Sequence, residues 1–330
     1  MKKRHLVVGS LLLMSMLSGC KDNRIQVGIL QPVDHKALTA TRLGFMEGLN
    51  EKGYGKDKVH FIYENARGKE AELNNKSKSL VANSDLTLGL GTDAAKALAS
   101  SALDKGSTKP ILFSAVTDPV GAGLVDSLDV GSGYITGMSD DNPVEAQIEL
   151  ILECFEGTGK EVDKIGLLYT RSEENSVAQA NRAKKVIEEH GITVVTKTAT
   201  GDADVSSTAV ALANEEGLDA IYIPTDNNIA AKAGEVKDAV SGKGILVVTG
   251  EKDMLVNCGA VTLSIDYFEL GKRTGHMAAA ILSGEKEPKD IPVGYMALEE
   301  CEYYYSSSNC ADAGITLPSS VISKSKDVSE

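Results

Sequence analysis

The chain has 330 residues, 42% hydrophobic and 25% charged, with no tryptophan and a formal net charge of −13. That acidity excludes nucleic acid, which needs clustered Lys and Arg, and adhesion to anionic headgroups, which needs a basic segment. The length fits one large or two medium domains, and the apolar fraction suffices for cores of that size.

Residues 1–19 read as an export signal. Lys2, Lys3 and Arg4 make a positive start, residues 6–17 an apolar run, and Leu17-Ser18-Gly19-Cys20 a small-residue cleavage site. The run is shorter than the about 20 apolar residues that span a bilayer. Leu-Ser-Gly-Cys resembles the bacterial lipobox, in which Cys20 is diacylated and becomes the mature N-terminus, with residues 20–24 as a lipidated tether. Each buried CH₂ of such a lipid contributes about 0.8 kcal/mol, so two or more chains anchor stably. Losing Lys2, Lys3 and Arg4 with the signal takes the net charge from −13 to −16.

From residue 25 short apolar runs alternate with longer amphipathic ones. Strands are predicted over 25–30, 59–63, 86–90 and 111–116, with helices over 37–49, 70–81 and 94–103 between them. Leu38, Thr41, Phe45 and Leu49 share one face of the first helix. The series restarts with a helix over 143–155, opened by Asp140-Asp141-Asn142 as N-cap candidates ahead of Pro143. Strands over 165–169, 192–197, 220–223 and 245–248 then alternate with helices over 174–190, 205–216 and 230–240, and Gly191 is a C′ residue. Strands alternating with helices of this length form βαβ units, so the expected fold is α/β, with two Rossmann-like doubly wound lobes. A short strand over 261–265, a helix over 267–282 and a tail after Ile291-Pro292-Val293 are too short for a third lobe. Sending the helix to the first lobe and the tail to the second makes the lobes 25–139 plus 266–294 and 140–265 plus 295–330, joined by a three-segment hinge.

Apart from Cys20, the cysteines are Cys154, Cys258, Cys301 and Cys310. No CxxC occurs, so a zinc ribbon or thioredoxin-type site has no support. Cys301 and Cys310 can bridge if their Cα atoms come within about 7 Å; four free, buried thiols are the alternative.

In open parallel sheets ligands sit beyond the carboxyl ends of the strands. That rule selects loops at 31–35, 91–93 and 117–123 in the first lobe and 170–176, 224–227 and 250–251 in the second. All are rich in short polar side chains. Capping is the better explanation of any one loop, but together they predict a polar cleft between the lobes. Gly91-Thr92 at a helix start offers N–H groups and a hydroxyl to a carboxylate, and Asp226 on the opposite lobe offers an acceptor to an ammonium. An α-amino acid held that way draws the lobes together. No HExxH, GxSxG or GxxxxGK[ST] motif occurs, and Asp118 with Asp226 as an acid–base pair lacks a nucleophile or metal. No enzyme activity, cofactor or metal is therefore expected.

Several segments point further: Gly28-Ile29-Leu30-Gln31, Gly44-Phe45-Met46-Glu47-Gly48-Leu49, Thr117-Asp118-Pro119-Val120-Gly121-Ala122-Gly123-Leu124-Val125, Ile135-Thr136-Gly137-Met138-Ser139-Asp140, Asn175-Ser176, Ile223-Pro224-Thr225-Asp226-Asn227, Asp266-Tyr267-Phe268-Glu269-Leu270-Gly271 and Gly314-Ile315-Thr316-Leu317-Pro318. Taken together they resemble the substrate-binding lipoproteins of ABC importers, in the branch that binds tryptophan, tyrosine or phenylalanine. The resemblance implies a type I periplasmic-binding-protein fold and a monomer on the extracytoplasmic face of the membrane, passing a small solute to a permease and its ATPase. It implies that Gln31, Thr92, Asp118, Ser139, Asn175, Ser176, Asp226 and Asn227 face the ligand, with Asp266 and Tyr267 at the hinge or cleft floor. A ligand-sensing lipoprotein of the same fold, presenting its ligand to a membrane receptor, is the alternative. The tail departs from the family pattern, with Ser306 after Tyr303-Tyr304-Tyr305 where an Asn is usual. Tyr169, Tyr267 and Phe268 are the aromatic candidates for stacking on a ring, and Phe268 reads better as a core residue.

Overall fold

The computed structural model describes residues 22–329; the segment read as an export signal and Cys20 lie outside them. In the first lobe β1 (Ile25–Gln31), α1 (Lys36–Glu51), β2 (Val59–Asn65), α2 (Glu70–Asn83), β3 (Leu86–Leu90), α3 (Thr92–Lys105), β4 (Ile111–Ser114) and β5 (Ile135–Met138) follow one another. All five strands are parallel, in the order β2-β1-β3-β4-β5. Strands covered on both faces read as unbroken apolar runs, and β3 and β4 are buried at every position, whereas edge strand β2 is only partly covered.

The chain then enters the second lobe through α4 (Val144–Glu153), β6 (Lys164–Thr170), α5 (Glu174–Glu189), β7 (Thr193–Ala199), α6 (Val205–Ala213), β8 (Ala220–Ile223), α7 (Asn227–Ala231), α8 (Ala233–Val240), β9 (Leu246–Thr249), α9 (Lys252–Cys258) and β10 (Val261–Ser264). The order β7-β6-β8-β9-β10 repeats that of the first sheet. Helix α10 (Tyr267–Leu282) returns to the first lobe. The tail then adds β11 (Glu302–Tyr305), antiparallel to β10, with α11 (Ser307–Ala313), α12 (Ser319–Lys324) and β12 (Lys326–Asp327). Each sheet carries a separate apolar cluster on each face, the signature of two doubly wound units.

Glycines seat the returning helix. A Cβ on Gly271 would stand 1.9 Å from the Thr41 carbonyl oxygen, and one on Gly275 2.4 Å from that of Phe45. From the other side, Cβ atoms on Gly44 and Gly48 would meet the carbonyls of Phe268 and Lys272 at 1.9 and 2.1 Å. Helices α1 and α10 thus approach backbone to backbone through glycines four apart on each. Near the third passage between lobes, the Ser139 N–H donates to the Gly294 carbonyl at 2.7 Å and the Gly294 N–H to Gly137 at 3.0 Å.

Several local expectations need correction. The first-lobe strand expected over 111–116 stops at Ser114, because Ala115 turns to φ +58. Helix α4 begins at Val144 behind Pro143, and the Asn142 side chain donates to the Asp140 carbonyl at 2.8 Å instead of capping it. The helix expected over 230–240 is two, because Asp226 caps an earlier start and the chain breaks at Lys232. Phe268 is 41% exposed and is not a core residue. The four cysteines are free, and Cys301 is only half-buried. Cys301 just before β11 and Cys310 on α11 do not pair.

Candidate functional site

The carboxyl ends of both sheets meet at a small cavity of about 30 Å³. From the first lobe come His35 at the start of α1, Gly91 and Thr92 at the start of α3, Ala115 after β4, and Tyr267 at the start of α10. From the second come Asn175 on α5, Thr225, Asp226 and Asn227 after β8, and Glu251 after β9, with Asp140 where the chain crosses.

The second-lobe wall is held by hydrogen bonds of its own. The Asp226 carboxylate accepts from the Thr170 N–H at 2.6 Å, the Thr170 hydroxyl at 2.9 Å and the Ile229 N–H at 2.9 Å, so one residue ties the end of β6 to the start of α7. Glu173 accepts from the backbone and side-chain amides of both Asn227 and Asn228. Burial, and then the Asp226 charge, push its pKa up against those four donors. Glu251 caps α9 through the Met254 and Asp253 N–H groups. The Asn175 amide and the Ser176 hydroxyl donate to the Thr225 carbonyl at 3.0 and 2.7 Å.

On the first-lobe wall, Gly91 takes φ +79, a region L side chains avoid, and no side chain caps α3. The first N–H groups of a helix have no partner within it, so the positive end of α3 opens at the cavity. Several contacts cross between the lobes. His35 Nε2 stands 3.6 Å from Glu251 Oε1. The Tyr267 hydroxyl donates to Asp140 at 3.0 Å, and the Gln179 amide to the Thr117 hydroxyl at 3.2 Å. Lys96 reaches Glu174 at 2.7 Å. Asp140 also accepts from Thr117 at 3.0 Å, and its complete burial pushes its pKa up to about 7.

Two larger grooves flank the cavity. One, of about 660 Å³, runs between Pro32, Val33 and Lys96 of the first lobe and Glu173, Asn227 and Asn228 of the second; Asn227 also lines the cavity. The other, of about 520 Å³, lies against the crossing segments and contains Asp118, Ser139, Gln179 and Tyr295.

Comparison with known proteins gives this arrangement a family. The model for "ABC transporter substrate binding protein" matches residues 26–329. The chain belongs to the ABC transporter substrate-binding proteins. A structure of a conserved domain protein from Vibrio cholerae is 34% identical and covers 92% of this chain and 99% of its own, with a TM-score of 0.84. An ABC domain from Streptococcus pneumonia in complex with L-Trp is 33% identical, with the same coverage and TM-score. A tyrosine-binding protein of Clostridioides difficile is 29% identical over 315 residues, 90% of this chain and 88% of its own length. Proteins of this family bind and do not catalyse, and they act outside the cytoplasm. The fold is that of the type I periplasmic binding proteins. Among the described residues no helix is long and apolar enough to cross a membrane.

Of the residues expected to face a ligand in this substrate-binding protein, Thr92, Asn175, Asp226, Asn227 and Tyr267 line the cavity. Asp118 and Ser139 lie on the crossing-side groove. Asp118 accepts from the Gly121 N–H at 2.7 Å, and the Ser139 hydroxyl donates to the Thr117 carbonyl at 3.1 Å. Gln31 is fully buried and spends its amide on the Val33 carbonyl at 2.8 Å. Ser176 is likewise buried against Thr225, and exposed Asp266 caps α10. His35, Asp140, Thr225 and Glu251 join the wall without having been singled out. The strand-end rule already pointed to the loops holding His35, Thr225 and Glu251.

Proposed function

We propose that this substrate-binding protein captures an α-amino acid with an aromatic side chain between its lobes and delivers it to a membrane permease, tethered by a lipid on Cys20. The observation that carries this reading is the opposition of charge across the cavity. Asp226, with Glu251, supplies anions for an ammonium; the uncapped start of α3 at Thr92 supplies open N–H groups for a carboxylate. The three donors on Asp226 leave one of its roughly four acceptor positions for the ligand. Asn175 and Asn227 supply amides between these poles.

The aromatic half of the proposal draws on the relatives, one named for tyrosine and one solved with L-Trp. It draws also on the groove that shares Asn227 with the cavity, where Pro32, Val33, Leu73 and Ala97 offer an apolar wall to a ring. A cavity of 30 Å³ is far below the about 300–1,000 Å³ of small-molecule sites, so uptake must part the lobes. Closing them again brings the ammonium and carboxylate contacts together, which ties closure to occupancy.

Delivery follows from the tether. A lipid on Cys20 confines the binding protein to the membrane that holds its permease and raises the local concentration without new contacts. Thermal-shift measurement against the twenty amino acids, purines and sugars, followed by calorimetry on the hits, tests the specificity. Stabilisation by tyrosine, tryptophan or phenylalanine is expected, about 2.7 kcal/mol at a ligand concentration 100 times Kd. A flat response to every amino acid refutes the proposal. Labelling with a radioactive fatty acid, lost in Cys20→Ala, tests the anchor.

A further inference from the structure

Every charged group on the cavity wall but one is a carboxylate, and the exception is His35. It stands at the N-cap position of α1, yet its side chain makes no capping hydrogen bond. Its Nε2 faces Glu251 of the opposite lobe at 3.6 Å, while its Nδ1 is buried without a hydrogen-bond partner among the described residues. Buried polar atoms are rarely left so, and an unpaired one at a cavity is an open position for a ligand atom. Burial pulls the His35 pKa down, but Glu251, with Asp253 and Asp226 behind it, carries it above the ordinary imidazole value. A protonated ring donates from both nitrogens, so Nδ1–H needs an acceptor. An ammonium entering the cavity has Asp226 and Glu251 to choose from; a carboxylate has a single cationic partner.

We propose that His35 is a receptor for the ligand's carboxylate: Nε2–H is oriented by Glu251, and Nδ1–H donates to a carboxylate oxygen beside the open end of α3. The assignment rests on the amino-acid reading above and assigns a specificity-determining residue within it. It also links recognition to closure, because the ring that touches the ligand from the first lobe is oriented by a carboxylate of the second.

The test is calorimetry on the full mature chain with tyrosine, tryptophan and phenylalanine, each beside its carboxamide, for the wild type, His35→Gln and His35→Asn. A glutamine amide nitrogen stands near the place of Nε2 and an asparagine one near that of Nδ1, so each variant keeps one donor. In the wild type the acid should bind at least about tenfold more tightly than the amide, as a charge-assisted pair requires. H35Q should weaken the acid by about tenfold and bring acid and amide within about threefold, while H35N retains more of the difference. An acid-to-amide ratio in H35Q equal to that of the wild type overturns the His35 assignment and leaves the amino-acid reading standing. No binding of any of the three amino acids by the wild type overturns both. A second measurement needs no variant: with ¹⁵N-labelled histidine, the His35 Nδ1 resonance should move on adding the acid and much less on adding the amide. A resonance that responds to both alike overturns the assignment even where H35Q does not fold.

Discussion

The two walls of the cavity are built on opposite plans. On the second lobe Asp226 and Glu251 cap the helices on which they sit, and Glu173, before α5, holds the start of α7. On the first lobe the start of α3 carries no side-chain cap and His35 Nδ1 has no partner among the described residues. One wall is rigid because its charged groups already serve the fold, and it can offer a ligand only their remaining acceptor positions. The other is a set of donors held in place from behind. What stands behind is the α1–α10 pair, for α1 starts beside His35 and α10 starts at Tyr267.

The largest expected effect tests that support. Gly271→Ala puts a methyl where the Thr41 carbonyl oxygen is 1.9 Å away, and backbone cannot swing aside as a side chain can. Overpacking of this kind should cost about 3 kcal/mol, read from the urea midpoint, and should fall on the first lobe. A change within about 0.5 kcal/mol would show that α10 can stand off from α1, and the first-lobe wall would lose its frame.

Next in size is a paired comparison across the cavity. Asp226→Ala removes three hydrogen bonds, one of them the α7 cap, from a buried site, so it should cost about 2–3 kcal/mol of stability as well as ligand binding. Thr92→Val, isosteric and on the opposite wall, should weaken binding about tenfold while changing stability by less than about 0.5 kcal/mol. If the two variants lose stability equally, the distinction between the walls fails.

Asp140, at the crossing between the walls, adds a pH dependence with a definite sign. Burial raises its pKa from 3.8 unfolded to about 7, so the folded chain binds this proton more tightly than the unfolded one. Its contribution is therefore full below about pH 4 and is lost as pH rises toward 7, a change on the order of 4 kcal/mol. Asp140→Asn removes the titration. Relative to the wild type, its melting temperature should rise steadily from pH 4 to pH 8; a difference that does not vary with pH would mean Asp140 stays ionised beside Tyr267 and Thr117.

The fold was readable because alternating strand and helix periods carry it, residue by residue, in both lobes. Part of the cavity wall was readable too, since Thr92, Asn175, Asp226 and Asn227 follow strand ends. Gln31 lies off that wall because its long amide turns back on its own loop, toward Val33. Asp118 lies on the crossing-side groove instead, because the same short side chain that suits a ligand also closes a turn. His35 and Glu251 were hidden for a different reason: each makes its informative contact with the other lobe, and no local pattern records a pairing across so much chain. The glycine pairing of α1 with α10 was hidden in the same way, its two halves visible as spacings and its meaning only in their contact.

The smallest expected effect concerns the outermost contact between the walls. Lys96 and Glu174 lie 2.7 Å apart, but their side chains are 40% and 61% exposed. Water and salt screen such a pair, and ordering two long side chains offsets part of its attraction, so Lys96→Ala should cost less than about 0.5 kcal/mol. Ligand affinity should likewise change less than about threefold in the variant, and less than about threefold for the wild type between low and high salt. The buried contacts predict this insensitivity: His35 with Glu251 and Tyr267 with Asp140 lie where solvent ions do not reach. A steep salt dependence that disappears in Lys96→Ala would transfer control of closure from those contacts to the rim, and the contrast between a finished wall and a waiting one would then matter less than the charge at the edge.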